Sequence, residues 1–455
     1  MVSNRCVGVI WSAAAALLLV PALAAAQELS LSQALRRADA GAYANRVAAG
    51  QAGAQEGEGM RALQGILPSL RLEAGYVRTT DPIGAFGITL RQRAITPANF
   101  DPARLNRPGA TPNYTGALVL EQPLFNLDAH LGRRTAAHAN AASRASEAWT
   151  RTETGVDMVR AYYGGVLAAE RVATLEAASE AAHAHVRQAE RMTEQGLVTR
   201  SDALLARVQA GEIDTQLAEA RGESALVKRQ VALLLGEPGD TSLALPERLP
   251  SVGALGVLRG MDWRGAVEQR GDVRAAEEGW AATRTDVRRA RSLYLPRLNA
   301  MGRYDWNSID SPFAGDENWS VGIVASWSPF AGASQLAEGR AAAGREAAAR
   351  ARADAARARG GMETAEAESA WQVALERLRI ADEAVLQSGE AHRIVARKYE
   401  GGLATVAELL SAAATEMESQ TRLSHARYQL LVTTAERLQV LGRDVAELAD
   451  LLEQS

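Results

Sequence analysis

The chain has 455 residues, with 50 Lys and Arg against 54 Asp and Glu, a formal net charge of −4, and aromatic residues at 5%. So balanced a charge lacks the basic footprint of a nucleic-acid binder and excludes that partner class. Low aromatic content and abundant alanine argue against separate globular cores, although the length would suit two or three domains.

Residues 1–26 read as a secretory signal peptide: Arg5, an apolar run from Val7 to Val20, Pro21, then Ala24-Ala25-Ala26 as an A-x-A site before Gln27. The run is shorter than the ~20 residues of a spanning helix, which makes an N-terminal membrane anchor the weaker reading. Cys6 leaves with the signal, so the mature chain is expected to be cysteine-free, with no N-terminal thiol to carry a lipid. After it no run of 18 apolar residues follows, so the chain is not expected to cross a membrane as helices.

Residues 27–236 form a first unit. Leu29 to Leu35 opens a capped helix extending to about Ile66, where Leu67-Pro68 ends it. The period then changes to two: Leu70, Leu72, Ala74 and Tyr76 oppose Arg71, Glu73 and Gly75, and a fainter strand runs from Tyr114 to Gln122, giving a strand pair over about 69–123. Asp81 to Pro112 holds five prolines and reads as an exposed, irregular loop. A long helical hairpin is expected over about 126–236, with its tip at Glu194 to Gln209. Residues 237–260, with Pro238, Pro246 and Pro250, read as a linker crossing the outside of the helical wall.

A second unit, 261–442, repeats the order. A helix from Met261-Asp262-Trp263-Arg264 to about Leu295 precedes a strand pair over about 297–329, in which Arg297 to Trp306 and Trp319 to Trp327 both alternate. A hairpin over about 331–442 follows, with its tip at Glu400 to Thr415, and 443–455 is left as a tail. Distances repeat as well as order. Gly196 to Gly236 is 236 − 196 = 40 positions and Gly402 to Gly442 is 442 − 402 = 40; upstream, Phe125 and Phe330 precede the tip glycines by 71 and 72. Leu-Pro-Ser-Leu at 67–70 and Leu-Pro-Arg-Leu at 295–298 are offset by 228 rather than 206, which places an insertion between Pro68 and Phe125.

Strands of ~10 residues with one apolar face, one polar face and aromatic ends (Tyr76, Tyr304, Trp306, Trp319, Trp327) suit a transmembrane barrel, the aromatics standing at the membrane interface in outer-membrane lipid. Four strands close no barrel, so the chain is expected to oligomerise and cover its strand edges. Helical arms of some 70 residues would reach about 100 Å. Trp371, Leu378, Val385, His392 and Tyr399 keep a step of seven, a coiled-coil seam, while runs such as Ala341-Ala342-Ala343 let neighbours approach on both sides.

Catalytic chemistry is not in evidence: no Gly-rich phosphate loop, no Ser/His/Asp clustering, no metal-ligand spacing and no cofactor motif. His183 and His185 are two apart on a helix and face different sides; His392 lies in the seam and reads as a packed histidine rather than a ligand. The chain is read as no enzyme.

Taken together, the signal, the Leu-Pro-x-Leu strand starts, Glu121-Gln122-Pro123-Leu124-Phe125, Trp327-Ser328-Pro329-Phe330, Arg270-Gly271-Asp272-Val273 and the Gly-Leu tips resemble the TolC family of outer-membrane efflux proteins. The resemblance implies a mainly α fold with a small transmembrane β part: two tandem repeats, hairpins forming a periplasmic α-barrel, and four strands per protomer in a 12-stranded barrel of a homotrimer. It also implies a passive exit duct in the outer membrane, joined to an inner-membrane transporter through a periplasmic adaptor that docks at the tips. Gly196, Leu197, Thr199, Gly402, Leu403 and Thr405 are then docking residues. Glu408 matches an acid that narrows the family's entrance, and Asp202 is its counterpart on the first tip; helix capping is the other reading of both. Ser411 and Ala404 stand where some members have a second acid and a basic latch, and Arg200 is a possible substitute latch. A periplasm-spanning coiled-coil tether without a pore is the second functional reading.

Overall fold

A computed structural model describes residues 28–196, 198–239, 243–260 and 265–453. The expected signal peptide, Leu197 and the Met261 to Arg264 opening lie outside the described residues.

Helix α1 (Leu31–Gly41) starts at Ser30, whose side chain accepts from the Gln33 N–H at 3.2 Å. The single helix expected up to Ile66 is broken at Ala42, where ψ is 134°, and resumes as α2 (Tyr43–Arg61). The break has a packing cause. Gly41 passes so close to the end of a later helix that a Cβ there would lie 2.3 Å from the Leu235 carbonyl oxygen. Asn45, 2% exposed, braces the break by donating to the carbonyls of Ala38 and Asp39, while its own oxygen accepts from Thr154.

Strand β1 (Ser69–Thr79) and β2 (Thr111–Phe125) form an antiparallel pair. Between them the expected irregular loop is instead organised as α3 (Pro82–Arg91), a 3₁₀ turn at Pro97–Phe100 and α4 (Pro102–Asn106). Three of its five prolines, Pro82, Pro97 and Pro102, start helical turns rather than break them. Asp81 and Asp101 are N-caps, each followed by proline at the first helical position, where the missing N–H costs nothing.

Helix α5 (Leu127–Glu194) has 68 residues, about 100 Å, and returns through α6 (Arg200–Leu234). Helix α7 (Gly271–Ser292) begins later than expected, behind 3₁₀ turns at Gly253–Gly260 and Val267–Gln269. Strands β3 (Arg297–Ser308) and β4 (Asp316–Ser326) complete one sheet in the order β1-β2-β3-β4, antiparallel throughout. Helices α8 (Ser334–Glu400, 67 residues) and α9 (Val406–Val440) form the second hairpin, and α10 (Glu447–Glu453) ends the described chain.

The segment read as an outer linker is part of the core. Leu243, Leu245, Leu249, Val252, Leu255 and Leu258 are buried with Val159 and Val166 of α5, Val231 of α6, Trp371 of α8 and Leu430, Leu431 and Leu438 of α9. Leu448 and Ala449, in the region left as a tail, join the same cluster. This belt clamps both hairpins midway along their length. Toward the tips the seam narrows to alanine, with Ala182, Ala189, Ala203, Ala206 and Ala210 buried between α5 and α6. No described helix is long and apolar enough to cross a membrane.

Candidate functional site: the hairpin tips and the two-faced sheet

Both tips are built alike. Gly196 and Gly402 each take φ +71°, a left-handed conformation that a β-carbon disfavours, and nothing else crowds either glycine. The turn at Gly402 closes with the Leu403 N–H donating to the Lys398 carbonyl at 2.7 Å and the Gly402 N–H to the Tyr399 carbonyl at 3.0 Å. Leu403 is left 82% exposed, an apolar knob at the extremity.

Each returning helix then opens with a reciprocal capping box. The Thr405 N–H donates to Glu408 Oε2 at 2.7 Å while the Glu408 N–H donates to Thr405 Oγ1 at 3.2 Å. In the first hairpin the Thr199 N–H donates to Asp202 Oδ2 at 3.0 Å and the Asp202 N–H to Thr199 Oγ1 at 3.2 Å. The Thr405 N–H and hydroxyl, with Lys398 nearby, hold the Glu408 carboxyl below its ordinary range. Each box uses one carboxylate oxygen. Arg200, first residue of α6, is exposed.

Sequence reasoning missed what joins the two tips. Tyr399 is buried, with Val406 and Leu409, and its hydroxyl donates to the Met192 sulfur of α5 at 3.4 Å. Burial first, and then the charge of Asp202, push this phenol's pKa up. The position was visible as the last member of the seven-residue seam; its partner was not. One heptad above, at 399 − 7 and 192 − 7, stand His392 and His185. His392 is bonded through Nδ1 to Glu416 of α9 at 2.5 Å, and it shares with His185 a cavity of about 590 Å³. Burial and the facing His392 lower the pKa of His185. His183 points elsewhere, to Asp214 of α6 at 3.0 Å. Among the described residues no three His, Cys, Asp or Glu are grouped to hold a metal.

Two buried cations were also not foreseen as such. Arg270, 1% exposed, pairs with Asp272 and with Glu363 of α8, and lies 4.7 Å from the Trp149 ring centre. Arg437, 2% exposed, pairs with Glu368 and lies 4.3 Å from the Trp371 ring. Arg270 thus ties the start of α7 to α8 and to Trp149 of α5, and Arg437 ties α9 to α8.

At the other end the sheet has two chemically distinct faces. Leu72, Leu118, Tyr304 and Trp319 lie in one row across all four strands, and Leu70, Leu120, Gly302 and Val321 in the next. The opposite face carries a polar network: across strands, Arg303 to Glu73 at 3.1 Å and Asn299 to Glu121 at 3.0 Å, and along β3, Arg303 to Asp305 at 3.6 Å. Leu70, Leu72, Val321 and Ile323, on the two edge strands, are each at least 65% exposed. Of the aromatics singled out in the sequence, Tyr76 packs on Tyr114, Tyr304 on Trp306, and Trp306 in turn on Phe313. Trp319 and Trp327 stand exposed.

Comparison with known proteins follows this geometry. Residues 264–443 match the family model described as outer membrane efflux protein. The alkaline protease secretion protein AprF of Pseudomonas aeruginosa is 26% identical over 236 residues, 50% of this chain and 49% of AprF; the match thus spans about half that relative's length. Among solved structures, the outer membrane protein VceC of Vibrio cholerae has a TM-score of 0.75 at 18% identity, covering 91% of this chain and 96% of VceC. The CmeC outer membrane channel of Campylobacter jejuni has a TM-score of 0.76 at 16% identity, covering 93% and 89%. At these identities the structural likeness shows the fold.

Proposed function

We propose that this chain, whose residues 264–443 match the outer membrane efflux protein family model and whose fold is that of the solved outer membrane proteins above, is the outer-membrane exit duct of a tripartite efflux or secretion system. The observation that carries the reading is the sheet. One face is apolar, the other is hydrogen-bonded into a polar lining, and β1 and β4 keep unpaired edges among the described residues. A soluble sheet with such edges would aggregate, and a membrane barrel needs this pattern.

Three copies of the four strands would close a 12-stranded barrel around the polar face, and the duplicated hairpins of each copy would side by side form a hollow periplasmic wall. The two halves then act as tandem repeats, residues 27–236 and 261–442. Substrate would pass without chemistry or energy input from this protein, driven by an inner-membrane transporter through a periplasmic adaptor. The exposed Leu403, the left-handed Gly196 and Gly402 and the Thr199 and Thr405 turns offer the adaptor a repeated knob-and-turn surface. Around a threefold axis, Glu408 and Asp202 would each appear three times, an acidic constriction that draws cations; Arg200 is then a latch between neighbouring tips. Detergent-extracted protein should be a trimer in light scattering, and a stable monomer would contradict the barrel.

A further inference from the structure

We propose that the insertion between β1 and β2 is a gate at the outer mouth of the duct, folded over the lumen-facing side of the sheet and held there by Gln92 and Arg93. The inference rests on the duct reading above. Its basis is which face the insertion touches. Gln92 Nε2, just past α3, donates to the Pro112 carbonyl at 3.0 Å and to Asn113 Oδ1 at 2.9 Å, both on β2. The next residue, Arg93, donates to the Glu317 carbonyl at 3.3 Å and pairs with Asp316 at 3.5 Å, both on β4. The chain therefore steps from β2 to β4 and bridges over β3.

It does so on the polar face. Asp316 pairs in register with Asn307, and Asn307 stands two residues from Asp305 and four from Arg303, on the same side of β3. The hydrogen bonds run on without a gap: Gln92 to Asn113, Asn113 to Asn307 at 2.9 Å, Asn307 to Asp305 at 2.8 Å. From Asp305 the chain of contacts continues through Arg303 to Glu73 on β1. Asn113 and Asn307 are 2% and 1% exposed, covered on what would otherwise be open lumen wall. Helix α3 packs against both β2 and β4 and buries Ala85 and Ile88. At the crossing, Arg93 is held at φ +49°, a conformation that a non-glycine side chain keeps only when its surroundings impose it.

Size makes this crossing consequential. Twelve strands about 4.8 Å apart and tilted about 40° enclose a ring roughly 24 Å across between backbones. A helix with its side chains is about 10 Å thick, so three copies of the insertion leave little of that mouth open. The Arg93 and Asp316 pair is partly exposed, which makes it a releasable fastening rather than a permanent one.

The test is unitary conductance of the purified full-length trimer in planar bilayers. It compares the native protein, a variant with residues 82–109 replaced by a short Gly-Asn turn, Arg93→Asp, Asp316→Arg, and the Arg93→Asp/Asp316→Arg swap, each shown to be trimeric by light scattering. A gate predicts a several-fold higher conductance for the shortened chain and for each single charge reversal, with the swap returning toward the native value. Native and single-reversal proteins that conduct equally overturn the gate while leaving the duct intact. If neither the native nor the shortened trimer conducts, the duct reading itself fails and the gate with it.

Discussion

Glu408 is a capping residue in the structure and a constriction residue only in the function proposed above. Its carboxylate closes the capping box with Thr405 through a single oxygen and remains charged. Removing the box partner by Thr405→Ala should cost about 1 kcal/mol of stability, seen as a lower melting temperature. Removing the charge by Glu408→Ala should in addition reduce cation selectivity and weaken block by multivalent cations; a change in melting temperature alone would leave Glu408 a cap and nothing more. The pH dependence has a definite sign. Because the folded Glu408 carboxyl is held below its ordinary value of 4.5, it stabilises the fold above that value, and the contribution is lost as pH falls through the lower folded pKa. His185 is the opposite kind of group, a base whose folded pKa is lowered by burial and by His392. The unfolded chain takes up the proton first, so stability is full above 6.5 and declines as pH falls from there through the folded value. Thermal melts at about pH 7.5 and about pH 5.5 should show a smaller acid penalty for His185→Gln than for the native chain; equal penalties would remove His185 as a source of that dependence.

At the scale of elements, periodicity carried most of what could be read. The change of period after each Leu-Pro located the strands, and the seven-residue step located the face of α8 that buries Trp371, Ala374, Ala381 and Tyr399. Features that depend on contacts distant in sequence were not legible. The 81–112 stretch is a local exception, since Asp-Pro at 81–82 and 101–102 is an N-cap followed by a first helical position, a helix start readable from adjacent residues. The 243–258 leucines looked like linker residues because their burial depends on α5, α6, α8 and α9 arriving from elsewhere. The helix break at Ala42 follows from the approach of Gly236, φ +78°, whose Cβ position is 2.2 Å from the Gly41 carbonyl oxygen. The left-handed turns at Gly196 and Gly402 were legible, whereas Tyr399 with Met192 and the stacked Arg270 and Arg437 were not. Trp371 sits at the centre of the belt, 1% exposed and bonded to Thr434. Trp371→Ala should therefore cost about 3–5 kcal/mol, measured by denaturant unfolding of the trimer, and a loss below about 1 kcal/mol would mean that the belt does not hold the hairpins together. At the tips, Leu403→Asp should abolish transport while leaving trimers in the membrane, which an efflux assay with a membrane-fraction control would read. Unchanged transport would reduce Leu403 to a turn residue.

At the scale of the whole molecule, the alanine-rich helices and the four two-faced strands are what the proposed assembly would use. A single chain leaves the apolar residues of β1 and β4 exposed at both edges of the sheet and leaves its polar network facing no enclosed space. In the proposed trimer, closing three sheets into one barrel would cover the edges, turn the apolar face to lipid and enclose the Glu73, Arg303 and Asp305 network as a lumen. A solid tether would need none of that polar lining. Single-channel recording of the purified trimer in a planar bilayer tests this most directly. The account predicts discrete conductance steps, cation-selective and reduced by multivalent cations at the periplasmic side. A trimer that inserts stably yet conducts neither as the native chain nor with residues 82–109 shortened would contradict it.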